Sequence, residues 1–89
     1  MDNPYSDLFL EENEVIRTFD EQIDADDLKW HRDNEDRIVV AVKETDWLFQ
    51  RENELPQKLN KEVYIPKGQW HRTIKGSGNL IIKVKKIYT

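Results

Sequence analysis

The sequence predicts a small all-β domain, a sandwich or barrel, that follows an acidic N-terminal arm. Short segments rich in Val, Ile, Trp, Phe or Tyr succeed one another from residue 15 onward, and turn-forming residues separate them. Short strands at this spacing are typical of sandwiches and barrels. No window of a dozen residues keeps an apolar stripe at helical spacing, which disfavours a helical bundle.

Residues 1–13 predict the acidic arm. This segment contains the turn-forming pair Asn3-Pro4, few β-branched residues and several carboxylates. Such a segment is expected to be mobile or to lie along an edge, with one short turn over residues 6–9. The predicted organisation is therefore an arm over residues 1–13 and one β domain over residues 14–89.

The β domain is expected to contain seven strands. The first spans residues 15–19, and the acidic run 24–27 after it has the composition of a turn. The other six are predicted at residues 28–32, 37–43, 47–50, 62–65, 70–74 and 80–87. Alternation is clearest in the last, where Leu80, Ile82 and Val84 share one face and lysines occupy the other, as in a half-buried antiparallel strand.

Length and composition indicate one modest domain. Eighty-nine residues with 37% hydrophobic residues support a single core. A chain of this size buries about two-thirds of its unfolded surface, so we expect a homodimer in which a second subunit covers part of the sheet. The chain has no cysteine, which excludes disulfides and thiolate chemistry. It lacks a signal-like start and a membrane-length apolar run, and is expected to be cytoplasmic without membrane contact.

Charge is divided unevenly along the chain. Up to residue 27, ten acidic residues stand against Arg17 alone, a net charge of −9, whereas the rest carries +5. The simpler interpretation is a solvated acidic lead-in beside a mixed surface. The alternative is an acidic segment that shields the basic part or imitates its ligand.

Residues 63–71 carry the first recognisable motif. They read Val-Tyr-Ile-Pro-Lys-Gly-Gln-Trp-His, so that a strand ends at Pro66 and is followed by Gly68 and His71. This resembles the second motif of the cupin superfamily. That family commonly has a glycine six residues before the proline. Here Asn60 occupies that position, and asparagine tolerates the positive φ of a tight turn.

The first cupin motif is only partly matched. The family has two histidines one residue apart and then a glutamate, whereas this chain has His31, then Asp33, with Arg37 or Ile38 at the glutamate position. The resemblance covers residues 28–87 and implies a small single-domain, cupin-like antiparallel β-barrel of the jelly-roll type. Residues 30–33 and 35–37 also resemble small uncharacterised cupin-like proteins of tailed bacteriophages.

The resemblance implies a candidate metal site in the barrel mouth. Metal-binding cupins hold a divalent ion with histidines and a carboxylate, so the candidate ligands are His31, Asp33 and His71. One strand would point residues 31, 33 and 35 the same way. Two imidazoles and one carboxylate suit iron, manganese, nickel or zinc. Without a metal, the same histidines are barrel-mouth residues hydrogen-bonded to Asp33 or Glu35.

Arg37 argues against a metal if it also faces inward. Its guanidinium would repel a cation, pair with Asp33 or Glu35, or bind an anionic group of a ligand. Trp30 and Trp70 are candidate ligand-stacking residues, although the favoured interpretation is that the three tryptophans pack the sheet or a dimer interface.

Three functions remain open at this point. The first is a cupin-like protein that binds a small molecule and a divalent metal, with enzymatic activity undecided. The second is a metal-free binding or interaction module that uses Arg37 and the tryptophans. The third is a single-stranded nucleic-acid binder using Lys75, Lys83, Lys85 and Lys86, which the overall acidity disfavours.

Overall fold

A computed structural model describes residues 5–88, and its regular secondary structure is almost entirely β-strand. The strands are β1 (Ser6–Glu11), β2 (Glu14–Phe19), β3 (Asp36–Ala41), β4 (Leu48–Arg51), β5 (Gln57–Lys58), β6 (Val63–Ile65), β7 (His71–Ile74) and β8 (Leu80–Ile87). A single 3₁₀ turn spans Ala25–Asp27. The predicted all-β fold is confirmed.

The strands form two antiparallel sheets. The larger has the order β1-β2-β8-β3-β6, and the smaller has the order β5-β4-β7. The last strand, β8, lies at the centre of the larger sheet, where it pairs with both β2 and β3. Its alternation explains this position, since Leu80, Ile82 and Val84 are buried while the intervening side chains are not.

The hydrophobic core lies between the two sheets. Trp47 is fully buried and its indole Nε1 donates to the carbonyl of Gly78 at 3.1 Å, so this tryptophan packs the core. The other buried apolar residues are Val15, Phe19, Val39, Phe49, Leu59, Val63, Ile65, Leu80, Ile82 and Val84. The larger sheet supplies most of them.

Two local predictions are wrong. The expected turn over residues 6–9 is instead part of β1, because Leu8 and Phe9 pair with Ile16 and Val15 in an antiparallel hairpin. The predicted strand over residues 28–32 is absent. The Asp24 carboxylate accepts from the amide of Asp26 at 2.9 Å and caps the 3₁₀ turn, so the chain leaves that turn in irregular form.

Asn60, which occupies the position of a family glycine, does not have the positive φ expected of a tight turn. Among residues 5–88, the one non-glycine residue with positive φ is Asn53, at 63°, so Asn60 does not use the left-handed conformation. Gly68 does, with φ of 80°, and it lies in the turn that leads to His71. The division into an arm and a domain stays a prediction, although β1 occupies much of the proposed arm.

Candidate metal and ligand site

A cavity of about 350 Å³ lies between the sheets. Its wall is largely apolar, with Val39, Phe49 and Ile82 among the lining residues. The polar side chains that reach it include Arg17, His31, Asp33, Arg37 and His71. A mostly apolar cavity with a few convergent polar groups is the usual form of a small-molecule site.

Backbone hydrogen bonds join the two histidines of the chain beside this cavity. The amide of His31 donates to the carbonyl of His71 at 3.0 Å, and the amide of His71 donates back at 2.9 Å. This single antiparallel bridge brings the imidazole centroids to 4.3 Å. The sequence Trp-His-Arg occurs twice, at residues 30–32 and 70–72, and the bridge pairs these two triplets with both histidines on one side.

Each histidine has one ring nitrogen held by a backbone carbonyl. His31 Nδ1 lies 2.9 Å from the carbonyl oxygen of Lys29, and His71 Nδ1 lies 2.8 Å from that of Gln69. A carbonyl only accepts, so Nδ1 carries the proton in both rings and Nε2 keeps its lone pair. The same arrangement orients histidines that ligate metals.

Asp33 completes the cluster from an irregular segment. Its carbonyl accepts from the amide of Gly68 at 3.0 Å, which ties it to the turn before His71. Its Oδ2 is 3.4 Å from His71 Nε2, is buried, and has no hydrogen-bond partner among the described residues. One ligand atom from each of His31, Asp33 and His71 lies within 4.8 Å of the others.

The three residues do not share a strand, so the predicted reason for their convergence is wrong. No strand spans residues 28–35 in the described chain, and His31 joins the sheet by the isolated bridge alone. The backbone contacts of His31 and Asp33 with the 68–71 segment bring them together instead.

Arg37 projects from β3 toward the cavity and holds two carboxylates. Its Nε donates to Glu35 Oε2 at 2.9 Å, and its Nη1 lies 3.4 Å from Asp33 Oδ1. Glu35 therefore neutralises much of the guanidinium charge near the cluster, while Asp33 keeps its other oxygen facing the histidines.

Burial lowers the pKa of His71, and electrostatic repulsion from the neighbouring His31 and Arg37 side chains acts in the same direction. The carbonyl of Gln69 and the carboxylate of Asp33 oppose that effect without cancelling it. The imidazole is therefore neutral at neutral pH, which is the protonation state of a metal ligand.

Arg17 is a cavity residue that the sequence analysis missed. Its guanidinium donates to both oxygens of Asp7, at 2.8 and 3.0 Å, and lies 3.7 Å from the ring centroid of Tyr5. Burial acts to lower the pKa of Arg17, but the bonds to Asp7 raise it overall. Arg17 lies midway between Val15 and Phe19, which both face inward on β2. This alternation in the sequence would have placed its side chain on the inner face as well.

Trp30 and Trp70 lie outside the cavity. Alternation about the histidine bridge turns them to the opposite side, where each is 40% exposed. Arg72 stacks over Trp30 at 4.8 Å and Arg32 over Trp70 at 5.2 Å. They line a separate shallow cleft with Glu52 and Asn53. A ligand in the cavity would therefore contact Arg37 but neither of these tryptophans.

The lysines of the nucleic-acid hypothesis are partly engaged within the chain. Lys75 Nζ donates to the carbonyl of Ile23 at 2.7 Å, and Lys83 pairs with Glu14 at 3.8 Å. This arrangement gives no added support to a phosphate-binding strip.

Comparison with solved structures identifies the fold. No family model and no curated protein matches the sequence. A cupin domain from Bordetella pertussis Tohama I aligns over 99% of both chains, with TM-score 0.58 and 16% identity. This chain has the cupin fold. The cupin-2 domain containing protein from Shewanella frigidimarina NCIMB 400 aligns with TM-score 0.63 and 11% identity, over 93% of this chain and 79% of that one.

KdgF from Halomonas sp. has a similar structure, with TM-score 0.64 and 13% identity over 96% of this chain and 80% of that one. The cupin resemblance found in residues 63–71 is thus confirmed at the level of the fold. Across residues 5–88, no helix is long and apolar enough to cross a membrane.

Proposed function

We propose that this cupin binds a divalent metal ion with His31 Nε2, His71 Nε2 and Asp33 Oδ2, and binds a small molecule in the cavity beside it. The observation that carries the proposal is that one ligand atom from each of the three residues lies within 4.8 Å of the others. Both Nε2 lone pairs are free because each Nδ1 is bonded to a carbonyl, and the buried Asp33 Oδ2 lacks a hydrogen-bond donor among the described residues.

The donor set fits iron(II), manganese, nickel or zinc. Two neutral imidazoles and one carboxylate leave coordination positions open for water or a ligand. A bound metal would act there as a Lewis acid that polarises a ligand oxygen. The protein's own contribution would be an apolar wall that restricts water, together with backbone bonds that hold both rings in one orientation.

The positive charge of Arg37 is the main electrostatic obstacle to a metal ion at this site. Its guanidinium opposes a nearby cation, but the 2.9 Å bond to Glu35 supplies a compensating charge. The Asp33 oxygen that faces Arg37 is Oδ1, whereas Oδ2 faces His71. One carboxylate would therefore contact both the arginine and the metal through different oxygens.

The test is metal content and affinity of protein purified without an affinity tag. Elemental analysis and calorimetric titration with zinc, manganese, nickel and iron(II) should show one ion per chain, and His71→Ala should abolish it. Asp33→Asn should weaken binding strongly. Asp36→Asn is the matched control, because the Asp36 carboxylate accepts from the Lys67 amide at 2.7 Å outside the cluster. Failure of all four metals to bind the parent would refute the proposal.

A metal-free anion site is the second candidate, and the two guanidinium groups at the cavity favour it. Arg17 and Arg37 both line the wall, so a carboxylate or phosphate could be held there if it displaced one of the carboxylates that these residues already bind. A thermal-shift screen of small anions should then find a stabilising ligand whose effect is lost in Arg37→Gln. Equal shifts in both proteins would contradict this use of Arg37.

A further inference from the structure

A second binding surface lies on the outer side of the smaller sheet, opposite the cavity. The histidine bridge pairs the two Trp-His-Arg triplets in antiparallel fashion, so that each tryptophan lies opposite an arginine. The guanidinium of Arg72 lies 4.8 Å from the ring centroid of Trp30. That of Arg32 lies 5.2 Å from the ring centroid of Trp70. Two pairs of aromatic and cationic side chains therefore cover this face, and each indole is still 40% exposed.

The residues that follow β4 extend this face on the other side of β7. The amide of Glu52 donates to the carbonyl of Trp70 at 3.0 Å, so the two residues are paired and their side chains share a face. Asn53 has φ of 63° in a turn closed by the hydrogen bond from the Glu54 amide to the Arg51 carbonyl, at 3.2 Å. The turn thereby holds a carboxylate and an amide beside the two tryptophans, and these four side chains line one cleft of about 350 Å³.

The charges at this cleft favour an anionic ligand over a cationic one. The guanidinium groups of Arg32 and Arg72 outnumber the single carboxylate of Glu52. Each indole already has a guanidinium over one face, so a quaternary ammonium on the other face would meet like charge. Neither Arg32 nor Glu52 forms an ion pair among residues 5–88, so both are available to a ligand.

We propose that this cleft binds a guanine nucleotide, with the base on the indole rings, the Glu52 carboxylate at the edge of the base and Arg32 on the phosphate. Arg32, Trp70 and Glu52 follow one another across three neighbouring backbone segments, about 4.8 Å apart. A base that stacks on Trp70 would thus direct one edge to Glu52 and its sugar and phosphate to Arg32.

The carboxylate of Glu52 selects guanine among the bases. An ionised carboxylate only accepts hydrogen bonds, and guanine presents two adjacent donors, the ring N1–H and the 2-amino group. Adenine presents an acceptor, its ring N1, next to its amino group. That acceptor would face the carboxylate without a donor, which weakens the binding of adenine.

The arginines can bind phosphate while they remain stacked on the indoles. Stacking uses the face of the guanidinium, whereas its N–H donors lie in the plane of the group. Arg72 Nε donates to Gln50 Oε1 at 2.9 Å, which holds this side chain in place over Trp30. Arg32 is exposed and therefore the better phosphate contact. A free nucleotide and a guanosine within single-stranded RNA offer the same base and phosphate.

Calorimetric titration of the full chain with guanosine 5′-monophosphate tests the proposal. A chelator is added so that the histidine cluster holds no metal. The parent should bind the nucleotide about tenfold or more tightly than it binds adenosine 5′-monophosphate. Trp70→Ala should weaken binding about tenfold or more, whereas Trp70→Phe should retain most of it, because an aromatic ring still supports the base.

Substitutions of the polar groups test the contacts with the base and the phosphate. Glu52→Gln should lose the preference for guanine over adenine. Glu54→Gln is the matched control and should bind like the parent, because Glu54 is exposed and does not line the cleft. Guanosine without a phosphate should bind more weakly than the monophosphate to the parent, and the two should bind alike to Arg32→Gln.

A short single-stranded RNA with one central guanine identifies the source of the ligand. Tighter binding of this RNA than of the monophosphate would assign the cleft to a strand, and the reverse order would assign it to a free nucleotide. The proposal would be overturned if neither ligand bound at low salt, or if guanine and adenine nucleotides bound the parent equally. Unchanged affinity in Trp70→Ala would also overturn it. So would self-association of the parent that Trp70→Ala abolishes, in the absence of nucleotide binding.

Discussion

The Asp33 side chain is the residue that most directly reports on the proposed metal site. Its Oδ2 is buried without a hydrogen-bond donor among the described residues, a state that normally costs free energy. A cation at that position would remove the cost. The carboxylate thus destabilises the metal-free protein and would be a ligand in the proposed metal-bound one.

Asp33→Asn should therefore separate stability from metal binding. In the metal-free protein, the free energy of unfolding should change by no more than about 1 kcal/mol, because the substitution removes a buried oxygen that lacks a donor but also weakens the ion pair with Arg37. Metal at about 100 times its Kd should stabilise the parent by about 2.7 kcal/mol and the variant hardly at all. Urea unfolding with and without zinc measures both; equal metal stabilisation of the two proteins would contradict the ligand role.

Arg37 and Glu35 should act on metal affinity with opposite signs. Unit charges about 7 Å apart interact by roughly 2 kcal/mol at an effective dielectric constant of about 20. Arg37→Gln removes a repulsive charge and should tighten metal binding roughly tenfold, whereas Glu35→Gln exposes the site to Arg37 and should weaken it. Calorimetric titration of both variants checks the signs, and a loss of affinity in both would instead indicate a purely structural role for the pair.

At the scale of elements, the turn between β7 and β8, which leads from the smaller sheet to the larger one, depends on a close approach to the segment before β4. Asp46 accepts from the amide and the hydroxyl of Ser77, at 2.8 and 2.7 Å. A Cβ at Gly76 would lie 2.7 Å from the amide nitrogen of Trp47. The turn is thus fixed by its fit against another segment as well as by its own glycines.

Gly76→Ala should destabilise the protein more than Gly78→Ala. The first forces backbone of the Trp47 segment to move, at a cost of about 1–3 kcal/mol or more. The second meets no atom within 4 Å and adds only the strain of an alanine at φ of 68°, about 1 kcal/mol. Denaturant unfolding gives both values, and the reverse order would contradict the close approach.

The same turn should contribute to stability against acid. Hydrogen bonds from the Ser77 hydroxyl and amide lower the pKa of Asp46 below its ordinary value of 3.8. Its stabilising effect is therefore complete above that value and is lost as the pH falls through the lower pKa of the folded state. Asp46→Asn should flatten this part of the stability curve, and unfolding measured from pH 5 downward should show a steeper decline in the parent.

The sequence predicts an element well where a local pattern specifies it, and poorly where contacts with a distant segment form it. Strand β8 was predicted from its alternation alone, because one of its faces is buried from Leu80 to Val84. Strand β1 was not, since its residues gain their conformation from pairing with β2. The convergence of His31 and Asp33 with His71 was predicted from family resemblance, whereas its cause, a single bridge and one loop hydrogen bond, has no local pattern.

At the scale of the whole molecule, the acidic N-terminal segment is bound to the cavity wall. Asp7 of β1 supplies both hydrogen bonds to the buried Arg17 guanidinium. The chain's uneven charge therefore has at least one structural use that composition does not reveal. Part of the segment predicted as an arm neutralises a charge of the domain.

Removing residues 1–12 should consequently destabilise the protein. The deletion leaves the Arg17 guanidinium buried without its carboxylate and exposes the edge of β2, at an expected cost of about 2–4 kcal/mol. Asp7→Asn is the narrower control and should account for a large part of the loss. Thermal unfolding of the two proteins provides the comparison, and a deletion with unchanged stability would support an independent arm.

The bridge between His31 and His71 has a consequence for kinetics. It joins segments that are far apart in the sequence, and such contacts form only after the intervening chain has closed. A ligand held by both rings would then act mainly on the native side of the folding barrier. It would lengthen the lifetime of the folded chain far more than it would shorten the time the chain needs to fold.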